Sequence, residues 1–197
     1  ARHVTPASVR FLRKQGGGMV FLASDYAASE KLGLPFTQDL YRSVTHDSGE
    51  FDLLNGMLSH SLPYDTRSSF SLFINHKDTF TGITDNDRSL TAKSFAELMQ
   101  ESSYSSGTDC KVKMAQNFRI PGHVPICIAD RELLQGRQGH TELIIALMSF
   151  LNLTPVALGC EMLSDDGNAL SPEEAQTWAQ KQGYLFLEGR QIVEECQ

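Results

Sequence analysis

The fold class is decided by residues 124–162, VPICIADRELLQGRQGHTELIIALMSFLNLTPVALGCEM. An apolar run opens this stretch at 124–129 and another closes it at 155–162, and both have the length of a buried strand. Between them, apolar residues at 142–151 recur at helical spacing. A helix set between two strands is typical of an α/β protein.

The rest of the chain continues this alternation. Caps, prolines, glycines and apolar spacing predict helices at 5–15, 26–32, 94–99, 171–182 and 189–196. Apolar and alternating segments predict strands at 19–23, 69–75 and 184–187, with 80–83 continuing the second of these after a turn. Two polar stretches, 41–67 and 101–116, are interpreted as long loops. The pattern therefore indicates an α/β sandwich in a single domain, residues 1–197.

Composition and charge exclude several classes of partner. The chain has 197 residues, of which 41% are apolar, so it can bury a sizeable core. Its formal charge is −7 and it has no basic stripe, which argues against nucleic acid as a partner. No apolar run reaches membrane-spanning length, so no membrane partner is expected. No CxxC pair occurs among the cysteines, which favours reduced thiols in a cytoplasmic protein: Cys110, Cys127, Cys160 and Cys196.

The segment Arg137-Gln138-Gly139-His140-Thr141 opens onto the predicted helix at 142–151. A glycine at a helix start lets backbone N–H groups converge on an anion, and the planar fork of Arg137 suits phosphate. His140 can ligate a metal or titrate near neutrality. The segment is interpreted as a phosphate cradle with a metal-binding or acid–base group. The alternative is a surface loop capped by Thr141, with Arg137 and His140 only solvated.

Three further positions are candidates for a site. His123 follows Pro121-Gly122 at the mouth of a strand, where its ring can act as a general acid–base or simply bond a loop carbonyl. Glu161 lies in an apolar strand, where it is either held by a ligand or on a solvated face. Thr81, before Gly82, either donates to a phosphate or forms part of an ordinary turn.

The order of the motifs is more specific than any one of them. PGHV at 121–124, RxGHTE at 137–142 and CE-x-x-x-DDG at 160–167 follow TPASVRFLRKQGGGMV and SSFSLFINHKDTFTGITDNDR. This series resembles dihydroxybutanone-phosphate synthase, especially its archaeal branch, from about Thr5 to Glu195. That family converts ribulose 5-phosphate to 3,4-dihydroxy-2-butanone 4-phosphate and formate in riboflavin biosynthesis. The resemblance implies a three-layer α-β-α sandwich with a mixed sheet, and a homodimer with sites near the subunit interface. It also implies dependence on Mg²⁺ or Mn²⁺, without an organic cofactor.

The resemblance also implies roles for individual residues. His140 matches the metal-ligating histidine, and Thr81 matches a further contact to the substrate phosphate. His123 and Glu161 match two positions essential for turnover, and Glu161 is also expected to bind substrate. The phosphate-binding loop of the family matches Arg137, Gln138, Gly139, His140 and Thr141.

Two departures from the family pattern bear on catalysis. The family has an acidic segment before the first helix that supplies a metal-binding Glu, and we expect residues 1–4 to begin just after it. Phe21 stands where the family commonly has an active-site cysteine. These departures keep a second hypothesis open, a non-catalytic phosphosugar-binding relative. A third, a nucleotide- or RNA-binding module, is opposed by the negative charge.

Overall fold

One mixed four-stranded sheet organises the computed structural model, which describes residues 1–46, 51–62, 65 and 67–196. The strand order is β2-β3-β1-β4. The central strand β1 runs parallel to β3 and antiparallel to β4, and β2 runs antiparallel to β3. The strands are β1 Gly17–Ser24, β2 Phe70–His76, β3 Phe118–Ile128 and β4 Val156–Met162.

Helices cover both faces of this sheet. The helices are α1 Pro6–Gln15, α2 Tyr26–Leu32, α3 Thr37–His46, α4 Asp52–Leu58, α5 Asp85–Ser102, α6 Gly107–Asn117, α7 His140–Phe150, α8 Pro172–Gln182 and α9 Gly189–Cys196. On one face of the sheet, α1 and α5 contact the strands, and α2 and α6 pack against α5. On the other face, α7 contacts β1 and β4, and α9 packs against α7. The predicted three-layer sandwich with a mixed sheet in a single domain is confirmed. None of the described helices is long and apolar enough to cross a membrane.

Two hydrophobic clusters lie on the opposite faces of the sheet. Because successive strand side chains point to opposite sides, Leu22 packs in the larger cluster with Phe95 of α5, whereas Phe21 packs in the smaller one. The smaller cluster also holds Cys127 and, from α7, Ile145. Two phenylalanines of the edge strand β2, Phe70 and Phe73, remain 36% and 40% exposed.

The prediction of long loops at 41–67 and 101–116 was wrong for the described residues. The first stretch contains most of α3 and all of α4, while residues 47–50, 63, 64 and 66 lie outside the described part. The second contains α6, which buries only Cys110 and Met114, one helical turn apart. A helix with so narrow an apolar stripe has almost no sequence periodicity, although its Ser106 cap is a readable start signal.

Other elements also differ from the prediction. The strand expected at 124–129 starts earlier, at Phe118, so His123 lies within β3 and not at the mouth of a strand. The helix expected at 94–99 is the 18-residue α5, which starts at the Thr84 cap. The strand expected at 80–83 does not form, because Gly82 adopts a positive φ of 92° in a turn. The strand expected at 184–187 is absent from the described residues as well; there the Tyr184 ring stacks on Trp178, 5.6 Å between centroids.

Candidate functional site

A cleft of about 230 Å³ is lined by half of the residues that the sequence marked as a site. Its polar wall is formed by Arg137, His140, Thr141 and Glu161, and its floor includes Met19, Phe21 and Cys127. An adjoining cavity of about 290 Å³ shares Arg137 and adds Asp65 and Glu142. We refer to the two together as the Arg137 cleft.

The N-terminus of α7 opens into this cleft. Gly139 is the N-cap and provides no side-chain hydrogen bond, so the first amides of the helix have no capping side chain. Thr141 is the second residue of α7 and its side chain is buried, so it is not the cap of a surface loop. The alternative of a loop capped by Thr141 was therefore wrong. A side chain on Gly139 would occupy the space of the Arg137 guanidinium, which lies across the helix start. Gln138 is exposed and donates to the Leu134 carbonyl at 3.4 Å.

Two carboxylates hold the guanidinium of Arg137. Its Nη1 donates to Oε2 of Glu142 at 2.5 Å, and its Nε donates to Asp65. Glu142 is completely buried, and its Oε1 accepts the Asp130 N–H at 2.9 Å. Burial opposes the charge of Arg137, but the hydrogen bond to Asp65 and the attraction of Glu142 outweigh it and raise the pKa of Arg137. The buried carboxylate of Glu142 therefore holds the guanidinium of Arg137 in place.

Glu142 and Asp65 are site residues for which the sequence alone indicates no role. Glu142 occupies the third helical position of α7, where a carboxylate is favourable near the positive end of the helix dipole. Its place in the first turn was therefore a readable signal, although its burial was not. Asp65 comes from the polar stretch at 41–67, and nothing local in the sequence ties it to Arg137.

Glu161, near the end of β4, reaches the cleft from the opposite side. Its Oε2 accepts the Met19 N–H at 2.8 Å. Gly18 makes this approach possible, since a Cβ there would lie 2.6 Å from Oε2. Among the described residues no hydrogen bond reaches its Oε1. The side chain is exposed, as the solvated-face alternative required, yet it lines the cleft.

The cleft floor combines an aromatic ring with a thiol. Phe21 packs against Gly159 of β4, where a Cβ would lie 2.9 Å from the ring. Cys127 is 6% exposed, and burial raises the pKa of its thiol to about 11. A thiol of that acidity is protonated at neutral pH and is a poor nucleophile. The cleft thus contains a cysteine, on β3 and not at position 21.

His123 and Thr81 do not line the described cleft but meet at a buried asparagine, Asn75, on β2. The His123 N–H donates to Asn75 Oδ1 at 2.9 Å, and the His123 Nδ1 lies 3.1 Å from Asn75 Nδ2. Asn75 Nδ2 also reaches the Thr81 carbonyl at 3.4 Å. The Thr81 hydroxyl and the Gly82 N–H both donate to the Asp87 carboxylate, at 3.3 and 2.8 Å.

The described residues supply only part of a metal coordination shell. No three His, Cys, Asp or Glu side chains converge within residues 1–46, 51–62, 65 and 67–196. His140 and Glu161 line the same cleft. Magnesium commonly binds through one or two carboxylates and completes its octahedral shell with water and substrate oxygens. The pair therefore fits a site that substrate or further ligands must complete.

Two solved structures with a similar fold are 3,4-dihydroxy-2-butanone 4-phosphate synthases. The structure of 3,4-dihydroxy-2-butanone 4-phosphate synthase of Candida albicans matches with a TM-score of 0.69 at 24% identity, covering 98% of this chain and 79% of that one. A 3,4-dihydroxy-2-butanone 4-phosphate synthase in complex with two magnesium ions matches with a TM-score of 0.65 at 18% identity, covering 98% and 80%. At these low sequence identities, the two matches establish that this chain shares their fold.

Sequence comparison gives the family. The sequence profile of 3,4-dihydroxy-2-butanone 4-phosphate synthase matches residues 1–195. The synthase of Methanosarcina mazei is 44% identical over 198 residues, covering 98% of this chain and 77% of the relative. That of Methanothermobacter thermautotrophicus is 39% identical over 196 residues, covering 98% and 81%. The chain belongs to the 3,4-dihydroxy-2-butanone 4-phosphate synthase family.

Proposed function

We propose that this chain converts ribulose 5-phosphate to 3,4-dihydroxy-2-butanone 4-phosphate and formate in riboflavin biosynthesis, with the substrate in the Arg137 cleft. One observation carries the proposal. Four side chains that the family resemblance assigns to the site line the same cleft: Glu161 lies on β4, whereas Arg137, His140 and Thr141 lie at or just before the start of α7.

The substrate phosphate binds between Arg137 and the start of α7. The uncapped amides of Gly139, His140 and Thr141 and the positive helix end favour a dianion there. In the chain alone, Arg137 donates to Asp65, so the phosphate takes the place of one carboxylate or shares the guanidinium with it. The buried Glu142 keeps Arg137 in position throughout.

Glu161 and His123 supply the proton transfers. The reaction removes a proton beside a carbonyl, eliminates water, shifts a carbon–carbon bond and releases one carbon as formate. Glu161 is suited to the role of base because its Oε2 is held by the Met19 N–H while Oε1 accepts no hydrogen bond from the described residues. Its exposure at the cleft wall lets a bound sugar reach it.

His140 would hold Mg²⁺ or Mn²⁺, with oxygen ligands from substrate, water and a further carboxylate. This assignment is supported by the position of His140 and Glu161 in the lining of the same cleft. A divalent ion bound there would polarise neighbouring carbonyl and hydroxyl oxygens. Arg137, Thr141 and Glu161 do not depend on it for their positions.

The active form is a homodimer in which each site uses residues of both copies. Two observations favour this: His123 and Thr81 lie outside the cleft of their own chain, and Phe70 lines the cleft while remaining 36% exposed on the edge strand β2. A second copy packed over this apolar edge would lie against the cleft. We also infer a cytoplasmic location, because all four cysteines are free.

A non-catalytic phosphosugar-binding protein is the second candidate, favoured by Phe21 in the cleft and by the incomplete metal shell. Formate release separates the two. Ribulose 5-phosphate and magnesium are added to the protein, and formate is followed with formate dehydrogenase. We expect formate that stops when EDTA is added. Calorimetric binding of ribulose 5-phosphate without any formate would instead establish the binding protein.

A further inference from the structure

Asn75 joins two segments that are far apart in the chain. It lies on β2, is 2% exposed, and contacts His123 on β3 and the turn that contains Thr81. Two glycines make room for it. A side chain on Gly82 would occupy the space of the Asn75 amide, and one on Gly122 would enter the β2 backbone at Ile74. Gly82 therefore leaves room for the Asn75 amide, and Gly122 leaves room for the β2 backbone beside it.

The neighbours of Asn75 fix which of its two terminal atoms is oxygen. The His123 backbone N–H can only donate, so the atom 2.9 Å away must be Oδ1. The Thr81 carbonyl can only accept, so the atom 3.4 Å from it must be Nδ2. Two independent contacts thus agree on one orientation of the amide. That orientation directs Nδ2 at the ring nitrogen Nδ1 of His123, 3.1 Å away.

An amide N–H facing Nδ1 requires that nitrogen to accept. The ring proton of the neutral imidazole then resides on Nε2, because the two nitrogens exchange roles between tautomers. A proton on Nδ1 would set two N–H groups against each other at 3.1 Å. The His123 ring is exposed, so its Nε2–H is available to a ligand.

We propose that Asn75 is a positioning residue that holds His123 as a neutral Nε2–H donor. The catalytic meaning of this inference rests on the proposed function. In the enolisation step the C–H bond beside the substrate carbonyl breaks, and the proton passes to the Glu161 carboxylate. The electron pair forms the carbon–carbon double bond of an enediolate, and the Nε2–H of His123 hydrogen-bonds the oxygen on which negative charge develops. Glu161 is the base, and His123 is the electrophile.

The tautomer is measured directly by long-range ¹H–¹⁵N correlation on the full chain labelled with ¹⁵N-histidine. The His123 signals are identified by their loss in His123→Ala. At about pH 8, above the ordinary titration range of imidazole, we expect Nδ1 without a proton and Nε2 with one. A proton on Nδ1 in the unsubstituted protein would overturn the inference whether or not any variant folds.

The Asn75→Asp variant provides a second test, because an ionised carboxylate accepts hydrogen bonds but cannot donate one. We expect the His123 proton to appear on Nδ1 and kcat for formate release to fall about a hundredfold, the scale for a misplaced oxyanion donor, with KM changed less. Asn152→Asp, at an exposed position after α7, is the matched control and should change neither. A His123 spectrum unaltered by Asn75→Asp in folded protein would reject the positioning role. Formate release that survives His123→Ala would reject the catalytic role of His123. No formate from the unsubstituted protein would instead reject the proposed function, and would leave the tautomer result standing.

Discussion

Arg137 donates to Glu142 at 2.5 Å, and the accepting carboxylate is completely buried. A buried charge is tolerated when it is paired and hydrogen-bonded, and the Asp130 N–H satisfies the second oxygen. The pair therefore links the stability of the α7 start to the position of the guanidinium. The proposed recognition of the substrate phosphate and the stability of this region therefore involve the same arginine.

Replacing Arg137 with Ala is expected to reduce both properties. Ribulose 5-phosphate binding should weaken by about 2–3 kcal/mol, the scale of a lost charge-assisted pair. Unfolding free energy should fall by about 3 kcal/mol, because Glu142 is left as a buried, unpaired charge. Titration calorimetry and urea unfolding measure the two quantities. Unchanged affinity would remove Arg137 from the phosphate site.

A compensating variant separates these effects. Adding Glu142→Gln to Arg137→Ala removes the buried charge and leaves an amide oxygen for the Asp130 N–H, so most of the stability should return. Phosphosugar affinity should stay low. Arg190→Ala is the control, since Arg190 is 74% exposed and pairs only with Glu188 among the described residues. Recovery of affinity in the double variant would mean that Arg137 acts through folding alone.

His123→Ala and Glu161→Gln should each abolish formate release while leaving ribulose 5-phosphate binding largely intact. Groups that transfer protons or stabilise developing charge act mainly in the transition state, so kcat falls with little change in ground-state affinity. Rapid-quench measurement of formate and calorimetry of the same samples test this. If both variants bind normally and still turn over, the assigned roles are wrong.

The sequence predicted the elements whose ends carry local signals. The Thr5 cap followed by Pro6 gives α1, and Ser171 followed by Pro172 gives α8, because caps act within one turn. The helix α6 was missed because only Cys110 and Met114 face the core. Its stability comes from tertiary packing, which leaves little periodicity in the sequence.

Residues of the candidate site were likewise predictable only where a local sequence signal marks them. His140 and Thr141 could be placed because they follow a glycine at a helix start, a local arrangement. Asn75 could not, since its contact with His123 spans 48 residues and depends on the pairing of β2 with β3. Asn75 is held by long-range contacts, and no nearby motif marks it.

The stability of the fold in acid is expected to depend on Asp85, which does not line the Arg137 cleft. Hydrogen bonding from Arg13 lowers the pKa of Asp85 from 3.8 to about 2, with Arg10 and Arg88 also contributing. Because the folded value lies below the unfolded one, this carboxylate stabilises the fold above about pH 4, and the contribution is lost as the pH falls towards 2. Asp85→Asn should therefore lower Tm at neutral pH and flatten its decrease between about pH 4 and 2. Asp165→Asn, at an exposed position that has no hydrogen bond or ion pair among the described residues, should leave the curve unchanged. A curve for Asp85→Asn parallel to that of the unsubstituted protein would contradict the assignment.

The proposed dimer predicts a specific result for mixed subunits. Light scattering at micromolar concentration should first show a two-fold dimer, and a monomer would rule out a shared site. Chains with His123→Ala and Glu161→Gln, carrying different tags, are then co-expressed and purified as heterodimers. If each site takes Glu161 from one copy and His123 from the other, one of the two sites is intact and about half of the activity returns. If both residues act within one chain, every site has a lesion and no activity returns.

The reciprocal control pairs an unsubstituted chain with one carrying both substitutions. There the shared-site arrangement predicts no activity, because each site receives one altered residue, whereas sites within single chains predict about half. Since the two heterodimers contain the same substitutions in different combinations, their opposite outcomes cannot arise from instability of either variant.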